Sequence, residues 1–170
     1  QVHRCRPLLG TFVSIQVRES EFAQEQINQA FAIIQEVDLQ ASFFRHDNWL
    51  DQINRQVLNP TPPPLWADRL LQLCDEMAIQ SEGAFAPHHN GKLDLSGIAK
   101  GFAVDLATEY LIDCGVQSGV INAGGDLRVF GSLNYEVQLV SPLDGHTLQI
   151  LSLKNQSIAT SVVQIGALNI

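Results

Sequence analysis

Two short stretches concentrate the small and charged residues that could hold a ligand. In LDLSGIAKGFAVDLATEYL, residues 93–111, Gly97 and Gly101 flank Lys100, with Ser96 before them and Asp105 after. Glycines at the start of a helix let a flat ring or a phosphate approach backbone amides that have no intrahelical partner. Ser96 can cap that helix, and Lys100 can meet an anion or extend into solvent. Asp105 lies five residues beyond Lys100, so no ideal helical ion pair is expected between them. The second stretch is Asn122-Ala123-Gly124-Gly125-Asp126. Its two glycines permit a turn whose amides surround a ligand oxygen, and Asp126 can orient a hydroxyl or stabilise the turn. Taken singly, each stretch is explained by capping, turning and packing. Their combination is what points to a binding cleft.

Other polar residues make weaker cases. His88 and His89 are adjacent, so a regular element does not send both rings to one metal, and a solvated turn accounts for them. His46 and Asp47 lack the nucleophile that a triad requires. Met77 reads as core rather than as a ligand wall. Cys5, Cys74 and Cys114 are widely spaced and form no close metal motif.

The elements that must position these stretches follow from periodicity. GTFVSIQV, residues 10–17, mixes β-branched residues with partial alternation, as a strand does. Ser20 can cap a helix whose Phe22, Ile27, Phe31, Ile34 and Val37 recur at helical intervals and form a core-facing stripe. FRHDNWLDQINRQ combines an ordered loop with a short helix, and NPTPPP then forbids continuous helix. A further helix runs from about Leu65, with Leu70, Cys74 and Met77 on related turns before Gly83. Pro87 and Asn90-Gly91 make turns before the helix that starts near Ser96 or Gly97. That helix presents Ile98, Phe102, Leu106 and Tyr110 to the core and stops at Gly115. GVINAGG, LRVFG, YEVQLVS and TLQILSLK are strands separated by GGD, SLN and PLDG turns, and SIATSVVQIGALNI adds one or two more. Helices early and strands late favour an α+β domain over alternating βα units.

Composition bounds the partners. The 170 residues suit one domain with a substantial core, with 45% hydrophobic and 16% charged residues. Eighteen acidic residues against ten Lys and Arg give a formal charge of -8, which argues against broad nucleic-acid or anionic-membrane binding. A local phosphate site needs helix amides, a placed base or a divalent cation to overcome that field. No apolar run reaches the roughly 20 residues of a transmembrane segment. Gln1 in place of Met marks the chain as less than a full translation product, so the lack of a signal peptide carries no weight.

GTFVSIQV, SFFRHDNWLDQIN, EGAFAP, DLSGIAKGFAVDLA, VINAGGDLRVFG and SIATS occur in the order found in the ApbE family of FAD:protein FMN transferases, which the chain resembles over most of its length. The resemblance implies an α+β fold with a central antiparallel sheet and packed helices. It also implies binding of FAD and magnesium-assisted transfer of FMN to a threonine of an acceptor protein, with release of AMP. Asp94, Ser96, Gly97, Ile98, Ala99, Lys100 and Gly101 match the family's DLGGIAKG, with Ser96 replacing the first glycine of its pair. On that match the Ala99 carbonyl corresponds to a magnesium ligand and the surrounding backbone to the FAD enclosure. Asp105 would hold neighbouring loops or a polar group of the flavin. Asn122, Gly124, Gly125 and Asp126 match NxGGD and would shape the same cleft, and Ala159, Thr160 and Ser161 match the ATS strand that lines it. No residue is assigned as general base.

The chain departs from the family pattern in two places. The segment usually found between GAFDP and DLGGIAKG is short, and the late H-I-x-D-P-x-T-G and acidic metal motifs do not follow Ser161. Residues 1–170 are therefore expected to be a single domain of this kind that is incomplete or lacks loops. The alternative is a noncatalytic FAD-binding or protein-interaction domain of the same fold. Some members are periplasmic lipoproteins, so the resemblance implies the periplasm or an inner-membrane-associated lipoprotein, with the cytoplasm as the alternative. Oligomeric state is left open.

Overall fold

The computed structural model describes residues 1–18, 21–141 and 143–160. Its centre is a five-stranded, wholly antiparallel sheet in the order β1-β2-β5-β6-β9. These strands are β1 (Val2–Leu8), β2 (Thr11–Val17), β5 (Ser118–Ala123), β6 (Asp126–Gly131) and β9 (Ser157–Ile158). Helices α1 (Ala23–Gln40), α2 (Trp49–Asn54), α3 (Ala67–Gln80) and α4 (Ala99–Asp113) complete the α+β architecture. Two small hairpins stand outside the main sheet: β3 (His88–His89) with β4 (Lys92–Leu93), and β7 (Tyr135–Val140) with β8 (Thr147–Leu153).

Alternation in β2 sends Val13, Ile15 and Val17 into the core, all fully buried. Ile27, Phe31, Ile34 and Val37 of α1 join the same cluster, as their spacing predicts. Phe22 does not: it sits at the N-cap of α1, makes no side-chain cap bond and is 58% exposed. The expected capping residue Ser20 lies outside the described residues.

β1 was not anticipated, because HRCRP has neither an apolar face nor a strand's composition. It forms as an edge strand, where a proline is tolerated. Its register places Arg4 opposite Ile15 and Arg6 opposite Val13, so both arginines share the helix-bearing face. There Arg6 lies over the Phe31 ring at 4.6 Å and Arg4 bonds Gln24, covering the rim of α1.

α4 is buried nearly all round, through Ala99, Phe102, Ala103, Val104, Ala107, Thr108 and Leu111. This follows from its position against α1 and against both β5 and β6. Phe102 is buried as expected, whereas Ile98, Leu106 and Tyr110 are only partly buried and pack against the core's margin. Thr108 satisfies its hydroxyl by donating to the Val104 carbonyl at 2.8 Å. The helix stops at Cys114-Gly115, with Gly115 at φ 81°, as the glycine predicts. The expected cap does not form: Ile98 holds the N-cap position of α4, and Ser96 instead donates its backbone N–H to Asp94 Oδ1 at 2.9 Å.

Two further expectations need correction. Leu65 is wholly exposed and α3 starts at Ala67, while Met77 is 38% exposed rather than core. Of SIATSVVQIGALNI, Ser157–Ile158 forms a strand, and residues 161–170 lie outside the described residues.

Candidate functional site

The segment Asp94–Gly101 is held from both sides. Asn54, at the end of α2, accepts the Leu93 N–H at 2.7 Å and donates to the Leu93 carbonyl at 2.9 Å, which pins β4. The Asp94 N–H donates to the Pro87 carbonyl at 2.7 Å. A chain of edge-on rings, Trp49 to Trp66 at 5.7 Å and Trp66 to Phe102 at 5.9 Å, links α2 and the start of α3 to α4. Such contacts fix α4 in place before any ligand arrives. Gly97 lies close to the Phe85 ring, which a Cβ would meet at 3.2 Å, so the small residue here serves packing as well as access.

The Asn122–Asp126 stretch is the tight turn between β5 and β6. Gly124 and Gly125 have φ of 60° and 101°, the left-handed backbone that a two-residue hairpin turn demands. Side chains are excluded sterically as well: a Cβ on Gly124 would strike Thr11, and one on Gly125 would strike Thr160. Asn122 Oδ1 accepts the Gly125 N–H at 3.0 Å, and the Thr160 hydroxyl donates to the Gly125 carbonyl at 3.4 Å. The turn is thus bonded to Thr160, just past β9, and packs against Thr11 at the start of β2.

Two clefts open on either side of the α4 N-terminus, each of about 430 Å³. The first is walled by Ser96, Ala99 and Lys100 together with Asp38 near the end of α1 and Phe44 and Arg45 from the segment after it. The second is walled by Gly97, Ile98, Gly101, Asp105, Asp126 and Ala159, with Leu73, Met77, Phe102 and Arg128 among its other lining residues. The expected site residues Asp94, Gly124, Gly125 and Thr160 line neither cleft. Ser161 lies outside the described residues. His88 and His89 are exposed and lead into the Asn90-Gly91 turn.

Charge crosses from α4 to β6 twice. Lys100 Nζ lies 3.5 Å from Asp126 Oδ2, and Arg128 Nη1 lies 3.3 Å from Asp105 Oδ1. Lys100 therefore reaches across to β6 instead of along its own helix. Burial raises the Asp105 carboxyl above its ordinary range, opposed by the charge of Arg128. Farther along α4, Glu109 receives two 2.6 Å hydrogen bonds from Arg69, which hold its carboxyl below the ordinary range.

Among the wall residues, Arg128 was left out by the sequence reading, and Met77 was read as core. Arg128 had a signal: strand alternation from Asp126 puts both on one face of β6. Met77 follows Leu73 by four residues and shares its helix face, but nothing in the spacing separates a cleft wall from a core.

Magnesium requires about six oxygen ligands in near-octahedral geometry. Among the described residues no three His, Cys, Asp or Glu side chains come together as a metal cluster. The Asp126 and Asp105 carboxylates are engaged by Lys100 and Arg128. The Ala99 carbonyl and these residues do not make a magnesium site by themselves.

Known structures share this architecture. The ApbE protein of Thermotoga maritima superposes with a TM-score of 0.83 at 20% identity, over 94% of this chain and 70% of that one. A flavin transferase ApbE from Vibrio cholerae gives a TM-score of 0.78 at 20% identity, over 94% of this chain and 71% of its own. The apo flavinyl transferase ApbE of Pseudomonas stutzeri gives 0.72 at 19% identity, over 90% and 66%. No curated protein sequence matches. The profile of the ApbE family matches residues 9–91 and 86–164. With that family profile matched over most of its length, the chain belongs to the ApbE family.

Proposed function

We propose that the protein is a flavin transferase that binds FAD across the two clefts and passes its FMN portion to a threonine of an acceptor protein. The observation that carries this reading is the pair of clefts sharing one wall, the Ser96–Gly101 turn. FAD is two ring systems joined through a diphosphate, and each cleft is of the size that takes one ring system. The diphosphate would then lie at the start of the 15-residue α4, where free amides and the helix dipole favour negative charge. Lys100 stands there and can move from Asp126 to a phosphate oxygen.

In the transfer, the threonine oxygen forms a bond to the FMN phosphorus and the diphosphate bridge to AMP breaks. The threonine loses its proton and AMP leaves with the bridging oxygen. The chain's own residues bind and align FAD so that attacking and leaving oxygens stand in line. Magnesium dependence comes from family resemblance, and the missing ligands would have to come from FAD phosphates, water or residues beyond those described. The reading treats residues 1–170 as one domain of this kind.

The test is AMP release and acceptor flavinylation on incubation with FAD, magnesium and a threonine-containing acceptor. Release of AMP in step with flavinylation, abolished by a chelator, is expected. FAD binding without AMP release, with a competent acceptor present, would instead make this a noncatalytic FAD-binding domain.

A further inference from the structure

Arg128 is a charged residue on the wall of the second cleft that keeps donors in reserve. A guanidinium carries five N–H donors in a rigid fork. Among the described residues its partners are Asp105 Oδ1 and Ser157 Oγ, both at 3.3 Å and both on Nη1. Nε is buried and has no partner among the described residues. The side chain is 37% exposed and lines the second cleft. By contrast, Arg69 spends two nitrogens on Glu109 at 2.6 Å.

The surroundings narrow what Arg128 awaits. Asp105 and Asp126 line the same cleft, so a phosphate placed there would meet two carboxylates in a chain of charge -8. Apart from Ser157, the other side chains of the wall are apolar, among them Leu73, Met77, Ile98 and Phe102. A thioether and an aromatic ring make good contacts with a flat ring. A donor and an acceptor side by side at the edge of an apolar slot match a neutral heteroaromatic ring with an adjacent acceptor and N–H.

Resting on the flavin reading above, we propose that the Arg128–Asp105 pair reads the polar edge of a ring of FAD, Arg128 donating to a ring acceptor and Asp105 accepting a ring N–H. Both ring systems carry such an edge: the imide of the isoalloxazine, and N1 with the 6-amino group of adenine. Arg128 is then a specificity-determining residue, and the diphosphate lies elsewhere, towards Lys100.

Titration calorimetry on the full chain tests this with riboflavin and adenosine, which carry one ring system each and no phosphate. Arg128→Gln and Asp105→Asn are expected to weaken one of the two by about tenfold, since a hydrogen bond to a charged group is worth that much or more. The other nucleoside and competition by inorganic pyrophosphate should be unchanged. Riboflavin against 3-methylriboflavin, and adenosine against N6,N6-dimethyladenosine, repeat the test on the unaltered protein, so a variant that fails to fold does not remove it. The methylated form of the ring that occupies the cleft should bind about tenfold more weakly. Equal affinity within both methyl pairs, or a variant that weakens pyrophosphate alone, overturns the proposal while FAD binding upholds the flavin reading. No binding of FAD by the unaltered chain overturns both.

Discussion

Asp105 and Glu109 sit one turn apart on α4, and each faces an arginine from a neighbouring element. Sequence spacing treats them alike, but the two pairs are built differently. Glu109 and Arg69 meet through two short hydrogen bonds, and Arg69 also lies over the Phe102 ring at 5.7 Å. Asp105 and Arg128 meet through one 3.3 Å contact beside an apolar cleft, with a buried Nε left over. The first pair is complete without a ligand and fastens α3 to α4. The second is looser, and its partly exposed guanidinium borders a cleft that a ligand can enter. Unused capacity of this kind separates a binding wall from a structural clamp better than charge does, since buried polar groups are otherwise paired.

The largest test of that contrast strikes the strand bearing Arg128 and spares the α3–α4 clamp. Gly125→Ala puts a side chain on a residue at φ 101° and drives its Cβ into Thr160. A loss of about 1–3 kcal/mol in unfolding free energy is expected. It should appear as a lower urea midpoint at unchanged slope, together with weaker FAD binding as β6 and β9 shift. An unchanged midpoint would mean that the turn is not what seats the second cleft. Next in size is the exchange of the two arginines' roles. Arg128→Gln should weaken FAD by about tenfold, or ~1.4 kcal/mol. Arg69→Gln should leave FAD affinity alone and cost stability within the ~1 kcal/mol typical of an exposed pair. Equal losses of FAD affinity in both variants would erase the distinction.

Much of the frame was legible because its periodicities are clean. The alternation of Val13, Ile15 and Val17, the helical stripe from Ile27 to Val37, and the glycine turns at Asn90-Gly91 and Gly124-Gly125 each depend on neighbours a few residues away. β1 was illegible because its order comes from pairing with β2, and Arg4 and Arg6 lie on α1 through contacts twenty or more residues distant in sequence. Ser96 illustrates the same limit at the site. Its type fits a cap, but Asp94 takes its N–H and shifts the helix start to Ala99. Arg128 and Met77 became wall residues only when α3, α4 and β6 met. A pattern within one element cannot show which of its buried-looking positions borders a gap.

The smallest prediction uses the opposite directions of the two carboxyls. Glu109 is held below its ordinary 4.5, first by the hydrogen bonds from Arg69, so the folded state binds its proton less readily than the unfolded chain. Its contribution to stability is present above the unfolded value and is lost as pH falls through the folded one. Asp105 is raised above its ordinary 3.8, first by burial, so its contribution is present below the unfolded value and declines as pH rises through the folded one. The stability difference between the unaltered protein and Glu109→Gln should therefore grow with pH across the carboxylate range. The difference from Asp105→Asn should shrink over the same range. Urea midpoints taken from about pH 3 to pH 6, near the ordinary carboxylate values, read both slopes. Slopes of the same sign would show that Arg128 already satisfies Asp105 as fully as Arg69 satisfies Glu109, leaving no spare capacity for a ligand to use.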